Sequence, residues 1–114
     1  MDMQSGIDIL DINRIEKILK EKKRKALFIK KVFTQQEIKT FPKNKDIYYA
    51  LNFSFKESIW KAIPENIQKK TYIKNIEILW YNNNPELFLF NKKIKNIHLK
   101  FIKTNKHIIT TAIL

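Results

Sequence analysis

Phe53-Ser54-Phe55-Lys56-Glu57-Ser58-Ile59-Trp60-Lys61-Ala62 lies inside the longest helical pattern of the chain. Ala50, Phe53, Ser54, Ile59 and Ile63 trace rows at three- and four-residue spacing across residues 47–63, and Phe55 adds a second apolar ridge. Pro64 stops the pattern, because proline has no N–H to donate and crowds the preceding turn. Glu57 and Lys61 are four residues apart and so share one helix face. Such a pair is commonly a solvated ion pair of little energetic weight. It is also what a phosphate-handling site needs: a carboxylate oxygen for a hard cation and an ammonium against phosphate charge. The spacing alone leaves both readings open.

N-terminal to this helix, Ser5-Gly6-Ile7-Asp8-Ile9-Leu10-Asp11-Ile12 reads as a strand. Ile7 and Ile9 share one face, and Gly6 and Asp8 share the other. Asp11 is placed to cap a helix beginning near Asn13, with Ile12, Ile15, Ile18 and Leu19 on its buried side. Residues 20–25 read as a helix end or loop, and residues 27–33 as apolar enough to pack. Thr34-Gln35-Gln36-Glu37 has the capping-box pattern, and Phe41-Pro42 ends the short helix it starts. Residues 43–46 are polar. Beyond Pro64, residues 72–81 and 87–90 read as strands around an Asn82-Asn83-Asn84-Pro85 turn. Residues 94–102 and 107–114 read as two more around Thr104-Asn105-Lys106. An opening strand, then helices, then an antiparallel sheet make a small α+β domain spanning residues 1–114.

The composition narrows the function. The chain has 114 residues, which suits one domain. Cysteine is absent, which excludes a disulfide framework, a thiolate metal site and a cysteine nucleophile. His98 and His107 lie nine apart and suit no standard metal spacing. Apolar runs fall short of the ~18 residues of a membrane span, and residues 1–5 show no signal-peptide character. A cytoplasmic protein is expected. Gly6 is the only glycine, where an average chain of this length holds about eight. A P-loop or a dinucleotide fingerprint needs several, so neither is present. Gly6 itself is either an ordinary strand-end residue or a point of close backbone approach to a ligand.

Charge points to an acidic partner. Lys and Arg number 23 against 11 Asp and Glu, a net charge of +12. Residues 14–31 alone carry nine basic side chains opposed by Glu16 and Glu21. A local basic surface is more informative than a uniform one and steers an acidic macromolecule toward it. The alternative reading of the total is AT-biased coding, which favours Lys, Asn and Ile and would leave many lysines as solvated surface.

Taken together, three blocks resemble the holo-acyl-carrier-protein synthases, the small bacterial-type 4'-phosphopantetheinyl transferases. Residues 6–15, Gly-Ile-Asp-Ile-Leu-Asp-Ile-Asn-Arg-Ile, resemble the family's opening motif. Val32-Phe33-Thr34-Gln35-Gln36-Glu37-Ile38 resembles its FTxxE block, and residues 53–63 resemble its FAAKEAxxKAL block. Ile76-Glu77-Ile78, with Asn84-Pro85 after it, resembles its hairpin. Order, spacing and length agree over nearly the whole chain.

The resemblance implies transfer of the phosphopantetheine arm of coenzyme A to a serine of acyl carrier protein, with 3',5'-ADP as the other product. It implies Mg2+ held by Asp8 and Glu57, with coenzyme A as co-substrate. Asp8, Glu57 and Lys61 would form the catalytic set. Glu57, or a metal-bound water, would take the serine proton, and Lys61 would assist the leaving phosphate. Arg14, Lys17 and Lys20 would dock the acidic carrier, and the fold would assemble as a homotrimer. No nucleic acid and no membrane are expected as partners.

The departures concern the coenzyme cradle. Asn52 stands where the family usually has Arg, Pro64-Glu65-Asn66 replaces a Gly-rich turn, and Leu99-Lys100-Phe101-Ile102-Lys103 replaces VSxSH. Coenzyme contacts are therefore expected from lysines: Lys56, Lys61, Lys100 and Lys103. Two alternatives remain at this level. One is a degenerate relative that binds a carrier or another acidic partner without catalysis. The other is an unrelated basic nucleic-acid-binding domain, whose aromatic residues would stack on bases.

Overall fold

The computed structural model describes residues 4–43 and 45–114. Residues 1–3 and Asn44 lie outside the described residues, and with them parts of the readings made for residues 1–5 and 43–46. Strand β1 (Ser5–Asp11) leads into helices α1 (Ile12–Lys20), α2 (Lys22–Val32), α3 (Gln35–Thr40), α4 (Lys45–Ala62) and α5 (Glu65–Gln68). A single 3-10 turn (Ile73–Asn75) precedes β2 (Ile76–Tyr81), β3 (Asn84–Leu89), β4 (Lys92–Lys93), β5 (His98–Lys103) and β6 (His107–Ile113). The expected α+β architecture is present, with one change. The strands form two separate three-stranded antiparallel sheets, β1-β6-β5 and β2-β3-β4.

Local chemistry accounts for most boundaries. The Asp11 carboxylate accepts from the Asn13 N–H at 2.9 Å and starts α1. Glu21 accepts from the Lys23 and Arg24 amides and starts α2, so residues 22–25, read as a loop or helix end, are the first turn of a new helix. The Thr34–Glu37 capping box closes in both directions, at 3.1 and 3.2 Å. Leu27 does not pack as its neighbours do; it is 68% exposed. Helix α5, missed in the sequence, is a single turn after Pro64, and its Gln68 side-chain amide donates to the Trp60 carbonyl at 2.7 Å.

Asparagine does in this chain what glycine does in others. Asn82, Asn83, Asn91 and Asn96 all take positive φ, a region that Asn visits more readily than most residues. Asn82-Asn83 thereby make the tight β2–β3 hairpin. Asn96 breaks the strand expected over residues 94–102, which begins only at His98.

Helix α4 is the centre of the molecule. It packs on β1, β6 and β2, and Tyr49, Leu51, Phe55, Ile59 and Ala62 are all buried on it. An edge-on aromatic cluster closes one end, with Phe33 and Phe41 at 5.0 and 5.1 Å from Tyr49. Sheet β1-β6-β5 lays its inner face, with Gly6, Leu10, Ile108, Thr110 and Ala112 buried, toward α4. Its outer face carries Ile9, Ile109 and Ile102 side by side, with Ile7, Thr111 and Lys100 in the adjoining row.

Candidate active site

The site forms where β1 meets the C-terminal half of α4. Ser54, Glu57, Ser58 and Lys61 follow the i, i+3, i+4, i+7 stripe of that helix. The strand comes very close to it. A Cβ on Gly6 would collide with the Ser58 carbonyl oxygen and stand 3.1 Å from the Ala62 nitrogen. The only glycine is thus spent on strand–helix contact. It is a point of close approach, as one reading had it, but to the protein's own backbone rather than to a ligand.

That approach brings Asp8 to α4. Asp8 Oδ2 accepts from the Ser54 hydroxyl at 2.8 Å, and Oδ1 lies 3.5 Å from Lys61 Nζ. Lys61 Nζ also donates to the Ile7 carbonyl at 3.1 Å, so the ammonium is held over the edge of β1. Glu57 stands close enough for Asp8 to affect its ionisation. Partial burial pushes the Glu57 carboxyl up, and the negative charge of Asp8 pushes it up further. Lys61 and then Arg14 pull it back down. Asp8, Glu57 and Lys61 therefore converge, and Arg14 on α1 reaches the same electrostatic neighbourhood. Beside Glu57 a cavity of about 260 Å³ is walled by Lys56, Trp60, Thr71, Ile73 and Ile76.

The two carboxylates suit one hard cation. Both offer oxygen, and their mutual repulsion is what a cation would relieve. Among the described residues no cluster of three or more metal-ligating side chains occurs. A two-carboxylate set fits Mg2+, which keeps several waters and takes its remaining ligands from phosphate oxygens.

The other expected coenzyme ligands do not join this site. Lys56 is 1% exposed. Its ammonium donates to Glu37 Oε1 at 2.7 Å, the Ile76 carbonyl at 2.6 Å and the Ile73 carbonyl at 3.1 Å. All three protons are used, and none remains for a phosphate. Lys56 is a structural residue, not a coenzyme ligand. Lys100 and Lys103 stand three apart on β5 and so face opposite sides of the sheet. Lys100 is on the outer face, beyond the sheet from Asp8. Lys103 is paired with Ile108 and lines a different cavity, with Ile12, Leu19 and Ile47. In a single chain neither reaches Asp8 and Glu57. Asn52, in the position of a family arginine, is fully buried. It donates to Glu37 and the Ile78 carbonyl and accepts from the Trp80 indole.

Three residues were not anticipated at the site: Ser54, Ser58 and Thr110, each 0% exposed. The available signal was polar side chains at apolar positions. Two serines stand four apart on a buried helix face, and a threonine lies within Ile108-Ile109-Thr110-Thr111-Ala112-Ile113. Arg14, Lys17 and Lys20 are all exposed along one side of α1, as a docking surface requires.

Comparison with known proteins places the chain in a family. The family model of the 4'-phosphopantetheinyl transferase superfamily matches residues 4–112. A holo-[acyl-carrier-protein] synthase of Buchnera aphidicola is 32% identical over 121 residues, covering 96% of this chain and 94% of that protein. One from Geobacillus is 29% identical over 113 residues, covering 96% and 92%. Among solved structures, the holo-acyl-carrier-protein synthase of Helicobacter pylori in complex with coenzyme A superposes with a TM-score of 0.72 at 27% identity, covering 95% of this chain and 96% of that one. That of Plasmodium yoelii gives 0.72 at 28% identity, covering 99% and 96%.

Proposed function

The chain belongs to the 4'-phosphopantetheinyl transferase superfamily, and we propose from that premise how its residues carry out the reaction. Residues 1–114 act as one transferase domain. The substrate pair is coenzyme A and an apo-acyl carrier protein. The serine oxygen of the carrier bonds to the pantetheine-bearing phosphorus, and the bond from that phosphorus to the bridging oxygen breaks. The electron pair leaves with 3',5'-ADP.

The convergence of Asp8, Glu57 and Lys61 carries this reading. Asp8 and Glu57 would hold Mg2+, which when bound would neutralise phosphate charge and make phosphorus more electrophilic. Glu57 accepts the serine proton. Burial, and after it the charge of Asp8, raise its pKa above the ordinary glutamate value, which strengthens it as a base. Lys61 offsets charge on the departing phosphate. The cavity beside Glu57 takes part of the coenzyme.

Arg14, Lys17 and Lys20 receive the acidic carrier, and their field speeds its encounter. Arg14 already influences Glu57, so docking on α1 places the carrier within reach of the catalytic carboxylate. The chain acts as a homotrimer in this reading. Ile7, Ile9 and Ile102 are 58%, 65% and 64% exposed on one sheet face, an apolar surface that a second copy would cover. Lys100, in the same face, would then border a neighbouring copy and could meet its coenzyme there. No helix among the described residues is long and apolar enough to cross a membrane, and we place the reaction in the cytoplasm.

Intact-mass measurement tests the reading. Apo-carrier incubated with this protein, coenzyme A and Mg2+ should gain one phosphopantetheine and should gain nothing without the metal. Folded protein that leaves several apo-carriers unmodified would instead support a carrier-binding relative without catalysis.

A further inference from the structure

Three buried hydroxyls run in a line behind Asp8. Ser54 Oγ donates to Asp8 Oδ2 at 2.8 Å and lies 2.9 Å from Thr110 Oγ1. Thr110 Oγ1 lies 3.1 Å from Ser58 Oγ, which in turn donates to the Phe55 carbonyl at 3.0 Å. All three residues are 0% exposed. The line ties two elements together, because Ser54 and Ser58 are on α4 whereas Thr110 is the direct cross-strand partner of Asp8 on β6.

The protons of this line are fewer than its contacts. Each hydroxyl has one proton to give. Three protons serve four contacts: Ser54 with Asp8, Ser54 with Thr110, Thr110 with Ser58, and Ser58 with Phe55 O. A carboxylate is the strongest acceptor among these partners, so the Ser54 proton goes to Asp8. Ser54 then has only lone pairs to offer Thr110, and Thr110 shares its proton between the two serines. Each donation toward Asp8 strengthens the next. Buried hydroxyls are costly where alanine or valine would fill the same space, and the only charged group this line ends on is Asp8.

We propose that Ser54, backed by Thr110, is a positioning residue that fixes the Asp8 carboxylate with Oδ2 turned into the protein and Oδ1 presented to the catalytic cation. Among the described residues Oδ1 accepts no hydrogen bond and lies 3.5 Å from Lys61 Nζ, and so keeps its lone pairs available. A carboxylate free to rotate would offer either oxygen or both, and hydrogen bonds that orient a metal ligand are worth a large factor in affinity. The inference rests on the reading of Asp8 as a cation ligand.

Mn2+ binding, followed by electron paramagnetic resonance with coenzyme A present, tests it, with thermal melting as the control for folding. Ser54→Ala should weaken Mn2+ about tenfold. Thr110→Val, which removes only the hydroxyl, should weaken it by a smaller factor, and Thr110→Ser should restore it. KM for the carrier should stay unchanged in all three. If Ser54→Ala does not fold, the comparison of Thr110→Val with Thr110→Ser decides alone. Variants that lose melting temperature yet bind Mn2+ like the wild type would overturn the inference, leaving the hydroxyls with packing only. Wild-type protein that binds no Mn2+ would overturn the cation reading and this inference together.

Discussion

Lys56 Nζ stands 2.7 Å from Glu37 Oε1, and neither side chain has exposed surface. The pair joins α4 to α3, while the remaining lysine protons hold the carbonyls of Ile73 and Ile76. Glu37 Oε2 completes the arrangement by accepting from Asn52 Nδ2 and the Ile78 amide. Burial pushes Glu37 up and Lys56 down, and the attraction between them opposes both. Lys56→Met should cost about 3–5 kcal/mol, because it leaves a buried carboxylate without its counter-charge. Lys56→Met combined with Glu37→Gln should cost clearly less than the sum of the two singles. Urea denaturation of the four proteins measures this. Additive losses would mean that the two charges do not depend on each other.

Glu57→Gln should separate function from stability. The folded state holds the Glu57 proton more tightly than the unfolded chain does, because its pKa is raised. Any stability linked to this group is therefore present in acid and is lost as pH rises from the ordinary glutamate range through the raised value. Above its raised pKa the wild type holds a half-buried anion next to Asp8 that glutamine would not. Phosphopantetheine transfer should vanish in Glu57→Gln, while its melting temperature at neutral pH equals or exceeds that of the wild type. The difference in melting temperature should shrink toward acid pH. A variant much less stable at neutral pH would contradict the assigned direction.

Gly6→Ala should damage the site from outside it. The added methyl would collide with the Ser58 carbonyl, a backbone atom that cannot rotate away. Moving β1 off α4 should cost at least about 1–3 kcal/mol. It would also carry Asp8 away from Ser54 and Lys61, so the folded fraction should need more Mg2+ for half-maximal transfer. Titration of activity against Mg2+ at matched folded concentration reads this. An unchanged Mg2+ requirement would show that the strand yields without moving Asp8.

Reversing charge on α1 tests the docking surface. Arg14→Glu with Lys17→Glu should raise KM for the carrier at least tenfold at low salt and flatten its salt dependence, because exposed charges act through a screened field. KM for coenzyme A should change far less. Equal effects on both substrates would place these residues at the coenzyme instead.

Assembly should depend on the outer face of β1-β6-β5. Ile9→Lys with Ile102→Lys places charges on neighbouring strands either side of Ile109, on a surface already exposed in the single chain. Sedimentation should show monomer with native circular dichroism, and transfer should fall. A wild-type chain that sediments as a monomer would remove the trimer from the proposal.

Much of this protein was legible in its residues because the chemistry involved is local. Asp11 and the Thr34–Glu37 pair act within a few residues of themselves, and they cap the helices they were expected to cap. The run of buried positions from Tyr49 to Ala62 follows from apolar ridges and a terminating proline. Alternation along β1 put Asp8 opposite Ile7 and Ile9, and helical spacing put Glu57 beside Lys61. Tertiary structure decided the rest, because burial and partnership are properties of elements far apart in the chain. Nothing local distinguishes Lys56 from Lys61; Glu37, α3 and β2 make one a sealed structural cation, and the edge of β1 leaves the other at the site. The division of the strands into two sheets, the use of Gly6 against Ser58, and the line of hydroxyls behind Asp8 likewise arise only once β1 and β6 lie against α4.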